Sequence, residues 1–284
     1  MPELPEVETI RRISADHLVG HCVRAVEITL PKLLRQSVIK TPAQLVGRTL
    51  ISAGRRGKVL NLEFSEGVNL LIHFKLAGQW AVILPDGDRF VAGHPVPAPD
   101  GAFPHKSTHA SMQFDDGRMV WYTDIRQFGW FNLLPADDVD EALAALALGP
   151  EATGPIDERR MSSLFARRTV PVKAVLLDQK VLAGLGNIYA DEALHAARIY
   201  PGRSANSLSA AEIASLIEAI PPVLEEGIRQ GGVRIVHSKA FPDNGIPAVH
   251  GREGERCTRC GTGIVKIRVA GRGTYFCPNC QPMP

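Results

Sequence analysis

The chain has 284 residues, of which 45% are apolar and 22% are charged, and its formal net charge at pH 7 is +2. This composition predicts folded domains with apolar cores, and no apolar run approaches the roughly 18 residues of a membrane span. Because the net charge is so small, any binding to nucleic acid must come from local basic patches. The first residues lack the charged and apolar regions of a secretion signal, so we expect a cytosolic protein with reduced thiols.

The first predicted element is a helix that begins almost at the N-terminus. Within residues 7–19, Val7, Ile10 and Ile13 follow one another at roughly helical spacing, and Gly20 ends the pattern.

Pro2 stands ahead of this helix, and its small size favours removal of the initiator methionine. Removal would leave a secondary amine flanked by Glu3 and Glu6. An α-amine has a pKa of about 7.7 to 8.0, so a fraction of it is neutral and nucleophilic at pH 7. Such an amine can attack the C1′ carbon of a sugar to give a Schiff base, while a neighbouring carboxylic acid protonates the opening ring. The alternative is structural, with Pro2 and Pro5 stiffening the terminus and the acidic residues favouring the helix dipole.

Eight short runs rich in strand-forming residues follow, several of them separated by turn pairs such as Asp86-Gly87. So many short strands predict an antiparallel sandwich or barrel. The segment 94–106 contains four prolines and little pattern, which indicates an exposed loop. The predicted strands are 22–30, 49–53, 59–64, 68–74, 79–84, 110–114, 119–122 and 129–133.

Helical patterns replace strands after residue 134. Gly149-Pro150 and Gly154-Pro155 indicate a linker, and Pro221-Pro222 is expected to break or kink the last helix. The predicted helices are 137–148, 157–166, 172–177, 187–196 and 209–230.

A glycine-rich turn, Leu182-Ala-Gly-Leu-Gly-Asn187, lies between two of these helices. Such a turn can aim backbone N–H groups and the Asn187 amide at an anion such as a phosphate. The alternative is an ordinary tight turn with an asparagine cap. Because no strand precedes it, the motif favours a helix–turn–helix arrangement over a dinucleotide-binding fold.

Four cysteines near the C-terminus form two Cys-x-x-Cys pairs, Cys257/Cys260 and Cys277/Cys280, separated by sixteen residues. This spacing predicts one tetrahedral zinc site, with two disulfides or a redox dithiol as the alternative. The residues between the pairs alternate apolar and basic side chains around Gly271-Arg272-Gly273, which predicts a β-hairpin.

The segment around this hairpin is basic. From residue 252 onward there are six basic residues and two acidic ones. A small hairpin held by metal and carrying net positive charge suits a phosphate backbone, although zinc ribbons also serve as structural lids and protein-docking modules.

Several blocks of the sequence together resemble the formamidopyrimidine-DNA glycosylase family. They follow in the family's order and span residues 2 to 280, so the resemblance covers essentially the whole chain. The blocks are Pro2-Glu-Leu-Pro-Glu-Val-Glu-Thr9, Arg56-Gly-Lys58, Tyr122-Thr-Asp-Ile-Arg-Gln-Phe-Gly129, Gly184-Leu-Gly-Asn-Ile-Tyr-Ala-Asp-Glu192, Gly251-Arg-Glu-Gly-Glu-Arg-Cys257 and the four cysteines.

The resemblance implies a bifunctional base-excision enzyme that removes oxidised purines from duplex DNA and then cleaves the abasic site. Pro2 would be the nucleophile, and Glu3 the acid that opens the deoxyribose. Glu6 would support the lesion pocket, and Lys58 would contact a DNA phosphate near the lesion. Without the resemblance, Lys58 would be read as a solvated hairpin lysine.

The resemblance also implies how DNA is held. Asn187 and Arg272 would bind phosphates that flank the flipped nucleotide. Phe128 would wedge beside the orphan base, and Arg126 would hydrogen-bond its Watson–Crick edge, favouring cytosine. Leu76 takes the place of the family's void-filling methionine. From the residues alone, Phe128 would be a core side chain and Arg126 a surface charge.

The expected architecture is therefore an α+β multidomain protein. It comprises an N-terminal antiparallel β-sandwich catalytic domain (1–134) with an N-terminal helix, a linker (135–155), a helix–two-turn–helix domain (156–238) and a zinc ribbon hairpin (239–284). The resemblance implies one structural zinc ion, damaged double-stranded DNA as partner, a monomer, and a nucleoid-associated location in a bacterial-type cytoplasm.

Some positions depart from the family pattern. The chain is several residues shorter than typical members between Gly232 and Gly251, where a loop closes over flipped 8-oxoguanine, and His250 replaces a tyrosine. We therefore expect weaker activity on 8-oxoguanine than on formamidopyrimidine or hydantoin lesions. Two other functions stay open: a non-catalytic protein that binds damaged DNA on the same scaffold, which would need neither Pro2 nor Glu3, and a zinc protein that acts on RNA.

Overall fold

A computed structural model of the chain describes residues 2–96, 98, 100–232 and 245–283. The chain divides into two units, residues 1–146 and 147–284. The predicted domain boundaries at 134, 155 and 238 stay a prediction.

The first unit is built on two antiparallel sheets. One has the strand order β1-β7-β8-β5-β6 and the other the order β2-β3-β4-β9. The strands are β1 Val23–Ile28, β2 Leu50–Arg56, β3 Val59–Phe64, β4 Val68–His73, β5 Gly78–Ile83, β6 Arg89–Gly93, β7 Thr108–Phe114, β8 Met119–Asp124 and β9 Trp130–Pro135. The expected α+β fold with an N-terminal β-sandwich is confirmed.

Alternating apolar residues fill the space between the two sheets. Leu60 and Leu62 of β3 belong to the same buried cluster as Trp80 and Val82 of β5. The opposite face of the four-stranded sheet is covered differently, because Leu71 of β4 packs with apolar residues of helix α2 (Val139–Ala144). Side chains of successive strand residues point to opposite faces of a sheet, so every second residue of β3 lies between the two sheets.

Each predicted strand overlaps an observed one, but strand β6 was not predicted. It lies at the edge of its sheet and only Ala92 is fully buried, so its sequence, Arg-Phe-Val-Ala-Gly, lacks the alternation of buried residues that identifies a strand. Residues 94–96, 98 and 100–106 contain no strand, as expected for a loop.

Helix α1 spans Leu4–Leu18. Its apolar face, including Val7 and Ile10, joins the core between the sheets, and the helix contacts strands β2 and β3 of one sheet and β5 and β6 of the other. Pro5 lies in the first turn, where a missing N–H costs no helical hydrogen bond.

The second unit contains four helices among its described residues. They are α3 Glu158–Ala166, α4 Val172–Leu177, α5 Asn187–Ala196 and α6 Ala210–Arg229. None of the helices in the described ranges is long and apolar enough to cross a membrane.

Pro221-Pro222 was expected to break or kink α6, and the break is not found, because one continuous helix runs through both prolines. Ser209 and Glu212 cap its N-terminus reciprocally. A face carrying Ile213, Leu216 and other buried residues then anchors the helix on both sides of the prolines. Tertiary burial therefore outweighs the local hydrogen bonds that the two prolines remove.

The C-terminal hairpin consists of β10 Val265–Val269 and β11 Arg272–Phe276. Its turn was expected at Gly271-Arg272-Gly273, but it lies one residue earlier, at Ala270-Gly271. Both turn residues have positive φ, +48° and +76°, as a two-residue hairpin turn requires. Arg272 is thus the first residue of a strand and not part of the turn.

Gly227 of α6 provides a test of this packing. A Cβ atom there would lie 2.4 Å from Cε1 of the buried Tyr189. We expect Gly227→Ala to destabilise the protein by about 1 to 3 kcal/mol through overpacking, even though alanine is the better helix former by about 1 kcal/mol. Thermal and urea unfolding measure the change. Ser215→Ala on the exposed side of the same helix is the control, and a raised midpoint for Gly227→Ala would contradict the packing.

Candidate active site and zinc centre

The N-terminal turn places the predicted nucleophile beside two buried carboxylates. Pro2 is buried, Glu3 occupies the cap position of α1, and Glu6 follows in the first turn. Glu3 is 1% exposed and Glu6 4% exposed, and Glu6 Oε2 accepts the backbone N–H of Glu3 at 2.8 Å. The two residues form a reciprocal capping box. This capping box, which was not predicted from the sequence, fixes where both carboxylates lie.

An ion pair holds the β2–β3 hairpin against α1. Arg55 Nε lies 3.2 Å from Glu8 Oε2, with both side chains largely buried, and Arg11 Nη1 reaches the carbonyl of Ala53 at 3.4 Å. Burial acts to raise the pKa of Glu8, but hydrogen bonds from Arg11, Arg12 and Arg55 hold that pKa below its usual value. Glu8 therefore stays ionised and fixes the hairpin that carries Lys58.

Lys58 is 7% exposed, so it is not a solvated hairpin lysine. It lies close to His73, at the end of β4. Burial, and then the charges of Lys75 and Lys58, lower the pKa of His73 to about 3. The imidazole is therefore neutral near pH 7, and its Nδ1 accepts the backbone N–H of Lys75 at 2.9 Å. Two lysines and a neutral histidine thus form one local positive group.

Leu76 lies in a tight turn between β4 and β5. The carbonyl of Phe74 accepts the N–H of Gly78 at 3.0 Å, and Lys75 has φ +49°. A Cβ at Gly78 would lie 2.7 Å from the Phe74 carbonyl oxygen, so only glycine fits there. Leu76 itself is half-buried.

Arg126 and Phe128 lie on the loop between β8 and β9. Phe128 is 51% exposed, so the expectation of a core side chain, drawn from the residue alone, is wrong. The guanidinium carbon of Arg126 stands 5.2 Å from the centre of the Phe128 ring, a cation–π arrangement. The exposed aromatic ring and the guanidinium together offer an apolar face and hydrogen-bond donors, which suit a flat, polar ligand such as a base.

In the second unit, the glycine-rich turn is organised by a glutamine. Gln179 Oε1 accepts the N–H of Gly184 at 3.0 Å, and Gln179 Nε2 donates to the carbonyl of Leu185 at 2.7 Å. Helix α5 begins at Asn187, and Gly186 takes the cap position. Asn187 is therefore not the cap, which leaves its side chain for another contact.

Asn187 contacts the C-terminal hairpin. Asn187 Nδ2 donates to the carbonyl of Gly273 at 3.0 Å, so Asn187 lies next to the strand residue that follows Arg272. The structure thus brings together the two residues predicted to hold phosphates. Arg272 is exposed at the start of β11.

A buried ion pair that was not predicted from the sequence supports the contact between Asn187 and the C-terminal hairpin. Lys173 Nζ lies 2.7 Å from Asp191 Oδ1, and both side chains are 0% exposed. Lys173 also donates to the carbonyl of Gly273 at 3.1 Å and to Thr274 Oγ1 at 2.8 Å, and the N–H of Tyr275 donates to Asp191 at 3.1 Å. The available signal was one lysine inside the otherwise apolar helix Val-Lys-Ala-Val-Leu-Leu, because a buried lysine requires a partner.

The neighbouring Glu192 holds a second segment. Its carboxylate accepts three successive backbone N–H groups, from Ala248, Val249 and His250, at 2.6 to 3.0 Å. Burial raises the pKa of Glu192 although these bonds act to lower it. His250, the residue that departs from the family's tyrosine, lies with Nδ1 2.7 Å from Asp191 Oδ2. The predicted shortened loop falls largely on 233–244, outside the described residues.

The four predicted zinc ligands converge. The sulfurs of Cys257, Cys260, Cys277 and Cys280 all lie within 4.8 Å of one another, with Sγ–Sγ distances of 3.4 and 3.9 Å for two of the pairs. Zn–S bonds of about 2.3 Å in a tetrahedron would place the sulfurs about 3.8 Å apart. All four are free thiols and their separations are too long for disulfides, which require about 2.05 Å. The site therefore fits one structural zinc ion, as predicted.

The zinc site is tied to α5 through a histidine. His195 Nε2 lies 3.5 Å from Cys257 Sγ, and burial, followed by the charge of Arg259, lowers the pKa of His195 to about 4. A neutral imidazole can donate Nε2–H to a thiolate, the usual kind of support around a metal ligand. Arg259 in turn donates to the carbonyl of His195 at 3.0 Å.

Three protein-family models match the chain. They are the formamidopyrimidine-DNA glycosylase N-terminal domain at residues 1–131, the formamidopyrimidine-DNA glycosylase H2TH domain at 148–238, and a zinc finger found in FPG and IleRS at 254–282.

Individual proteins match along the full length. A formamidopyrimidine-DNA glycosylase of Pelotomaculum thermopropionicum is 38% identical over 291 residues, covering 99% of both chains. A crystal structure of a mutant of the Lactococcus lactis protein with DNA containing Fapy-dG is 36% identical and has a TM-score of 0.85. The same protein bound to abasic-site DNA is 35% identical with the same TM-score, and both structures cover 99% of this chain and 100% of their own.

Because His73 is neutral in the folded protein, we expect the free energy of unfolding to fall as the pH is lowered. Its pKa in the folded state, about 3, lies below the unfolded value of about 6.5, so unfolding takes up a proton between these pH values. Its contribution to stability is present above pH 6.5 and is lost as the pH falls toward 3, by at most about 1.4 kcal/mol per pH unit.

We expect His73→Asn, whose amide oxygen can still accept the N–H of Lys75, to flatten this dependence. Urea unfolding at pH 7, 6, 5 and 4 measures the slope for both proteins. Equal slopes for wild type and variant would show that His73 does not titrate as described.

Proposed function

Because the chain belongs to the formamidopyrimidine-DNA glycosylase family and is therefore a DNA glycosylase of base excision repair, we propose that it removes oxidised purines through the amine of Pro2 and then cleaves the DNA strand at the abasic site. The observation that carries this proposal is Pro2 directly ahead of Glu3 and Glu6, two carboxylates that are almost fully buried in the first turn of α1. Burying carboxylates is unfavourable, and such groups concentrate at sites of chemistry.

The proposed reaction uses these groups in sequence. The Pro2 nitrogen forms a bond to C1′ as the bond from C1′ to the base breaks, and the base leaves with the proton that the amine gives up. Glu3 protonates the ring oxygen, so the sugar opens and an iminium forms. Loss of a proton from C2′ then expels the 3′ phosphate, and hydrolysis of the iminium returns the free amine.

Basic groups would hold the DNA during this reaction. Lys58, held near the neutral His73, would bind the phosphate close to the lesion. In the second unit, Asn187 donates to the carbonyl of Gly273, the residue that follows the exposed Arg272, and this proximity supports a shared role in binding phosphates. The solved structures of the Lactococcus lactis protein contain DNA with Fapy-dG or an abasic site, and we propose duplex DNA with such lesions as the substrate of this chain.

Flipping the damaged nucleotide leaves a gap opposite the orphan base. The exposed Phe128 would wedge beside that base, Arg126 would hydrogen-bond its edge, and Leu76 would fill the gap. Leucine has about the volume of methionine but fewer rotatable bonds, so this filling would be less adaptable than in relatives that carry methionine.

Borohydride trapping tests the amine. Protein produced with methionine aminopeptidase inhibited retains Met1, and part of that sample is then treated with the purified aminopeptidase. We expect a covalent adduct with abasic-site duplex only after treatment, because while Met1 is attached the Pro2 nitrogen is part of an amide and is not nucleophilic. Glu3→Gln should keep the adduct on a preformed abasic site, whose sugar is already open in part, and lose it on an intact lesion.

The matched control is the same preparation before and after one defined cleavage, so folding and DNA affinity are compared directly. An equal adduct from both samples would place the nucleophile elsewhere. No adduct from either, with tight binding retained, would favour the non-catalytic damaged-DNA-binding protein.

The lesion preference is a separate prediction. With fewer residues between Gly232 and Gly251 to cover a flipped base, we expect excision of formamidopyrimidine and hydantoin lesions to exceed that of 8-oxoguanine. Single-turnover rates opposite cytosine, each normalised to cleavage of an abasic site in the same sequence, provide the measurement. The prediction is wrong if 8-oxoguanine is removed as fast as the other two.

A further inference from the structure

Asp124, at the end of β8, is a fully buried carboxylate on which the loop bearing Arg126 and Phe128 closes. It is 0% exposed. Its Oδ1 accepts the backbone N–H of Arg126 at 3.0 Å, and its Oδ2 accepts the backbone N–H of Gly129 at 2.8 Å. One carboxylate therefore binds the loop on both sides of Phe128.

The backbone of Asp124 adds further contacts. Its carbonyl accepts the N–H of Gln127 at 3.1 Å and Nε2–H of His109 at 3.1 Å. Gln127 has φ +55°, a left-handed backbone conformation that residues other than glycine rarely adopt. The surrounding hydrogen bonds therefore hold the loop in an unfavourable conformation. Gly129 closes the loop where no side chain fits, since a Cβ there would lie 1.8 Å from the hydroxyl of Tyr122.

Tyr122 completes the surroundings of the carboxylate. Its hydroxyl donates to Asp124 Oδ2 at 3.2 Å. Burial, followed by the charge of Asp124 and this hydrogen bond, raises the pKa of Tyr122, so the phenol is protonated and a donor near neutral pH. The carboxylate thus has three donors directed at it.

The carboxylate that holds the loop is buried, whereas the apolar side chains of the loop are exposed. While Asp124 is buried, Ile125 is 41% exposed and Phe128 51% exposed. Burying a charge to hold a loop whose apolar residues stay in solvent brings no gain in core packing. The arrangement instead fixes the direction in which Arg126 and Phe128 point.

The same residue lies beside the turn that carries Leu76. In the pairing of β5 with β8, Gly78 is the partner of Asp124, and Gly78 closes the Leu76 turn through its bond to Phe74. The turn that carries Leu76 therefore ends, and the loop that carries Arg126 and Phe128 begins, at one paired position of the five-stranded sheet.

We propose that Asp124 is a positioning residue for recognition of the orphan base: it fixes the loop so that Arg126 reaches the Watson–Crick edge while Phe128 wedges beside it. The inference rests on the proposed function, in which these two side chains contact the orphan base. Because Asp124 is fully buried and its carboxylate binds the loop backbone, it acts through Arg126 and Phe128.

The test is Asp124→Asn, which keeps the shape of the side chain. An amide supplies only one acceptor oxygen, so its NH₂ group faces at least one of the two backbone N–H donors. We expect the ratio of excision rates opposite cytosine and opposite adenine to fall about tenfold, the effect of losing roughly one hydrogen bond to a charged group. Borohydride trapping on a single-stranded abasic oligonucleotide, which has no orphan base, should stay at the wild-type level.

Two comparisons separate positioning from general damage. Tyr122→Phe removes one donor to the same carboxylate but leaves both loop bonds, so it should keep the wild-type ratio. In an Arg126→Ala background, Asp124→Asn should cause no further loss of discrimination, because its effect passes through Arg126. An unchanged ratio for Asp124→Asn, or full additivity with Arg126→Ala, would overturn the inference.

A measurement on the wild-type protein covers the case in which the variant does not fold. The amides of Arg126 and Gly129 should exchange their hydrogens slowly, although they lie in an exposed loop, because both are bound to the buried carboxylate. Fast exchange of both would overturn the inference. The proposed function fails independently, if wild-type protein with a free Pro2 amine forms no adduct with any abasic DNA.

Discussion

The buried pair Lys173–Asp191 is the interaction on which the second unit depends. Two charges without access to water must satisfy each other, and here they also take up bonds from Gly273, Thr274 and Tyr275 of the hairpin strand. Removing one partner of such a pair costs about 3 to 5 kcal/mol, although an apolar replacement of both can be just as stable. The pair is therefore better understood as a constraint on geometry, which joins α4, α5 and β11 into one rigid support for Asn187 and Arg272.

The first unit follows the same principle with carboxylates. Glu3, Glu6 and Asp124 are each almost fully buried at the end of a secondary-structure element, where each meets backbone N–H groups. An apolar side chain at these positions would avoid the cost of desolvation. The sandwich core supplies the stability that makes this cost tolerable, and the carboxylates supply defined positions at its edges.

The parts of the fold that follow from local pattern were predictable from the sequence. Strands such as β3 alternate between the core and the outside, and the spacing of the two Cys-x-x-Cys pairs predicts a zinc site, which the sulfur separations then favour over disulfides. The edge strand β6 was not predicted, because only one of its residues is fully buried and it shows no clear alternation. Helix α6 was predicted at 209–230, but its continuity through Pro221-Pro222 was not, because that depends on tertiary burial. Nor could the residues alone show that Phe128 is exposed or that Lys173 meets Asp191, since both depend on which elements become neighbours in space. The roles of Pro2, Glu3 and Lys58 came from resemblance and stay predictions.

The zinc site has one further consequence for the protein's durability. Cys257 and Cys277 are 2% and 0% exposed, whereas Cys260 is exposed. Oxidants reach thiolates according to their accessibility, and a sulfur converted to sulfenic acid is a poor metal ligand. Oxidants therefore reach this site most readily at the exposed Cys260, and next at the partly buried Cys280. Loss of the metal would loosen the strand that begins with Arg272, so the accessibility of one sulfur sets how long the whole hairpin keeps its shape under oxidising conditions.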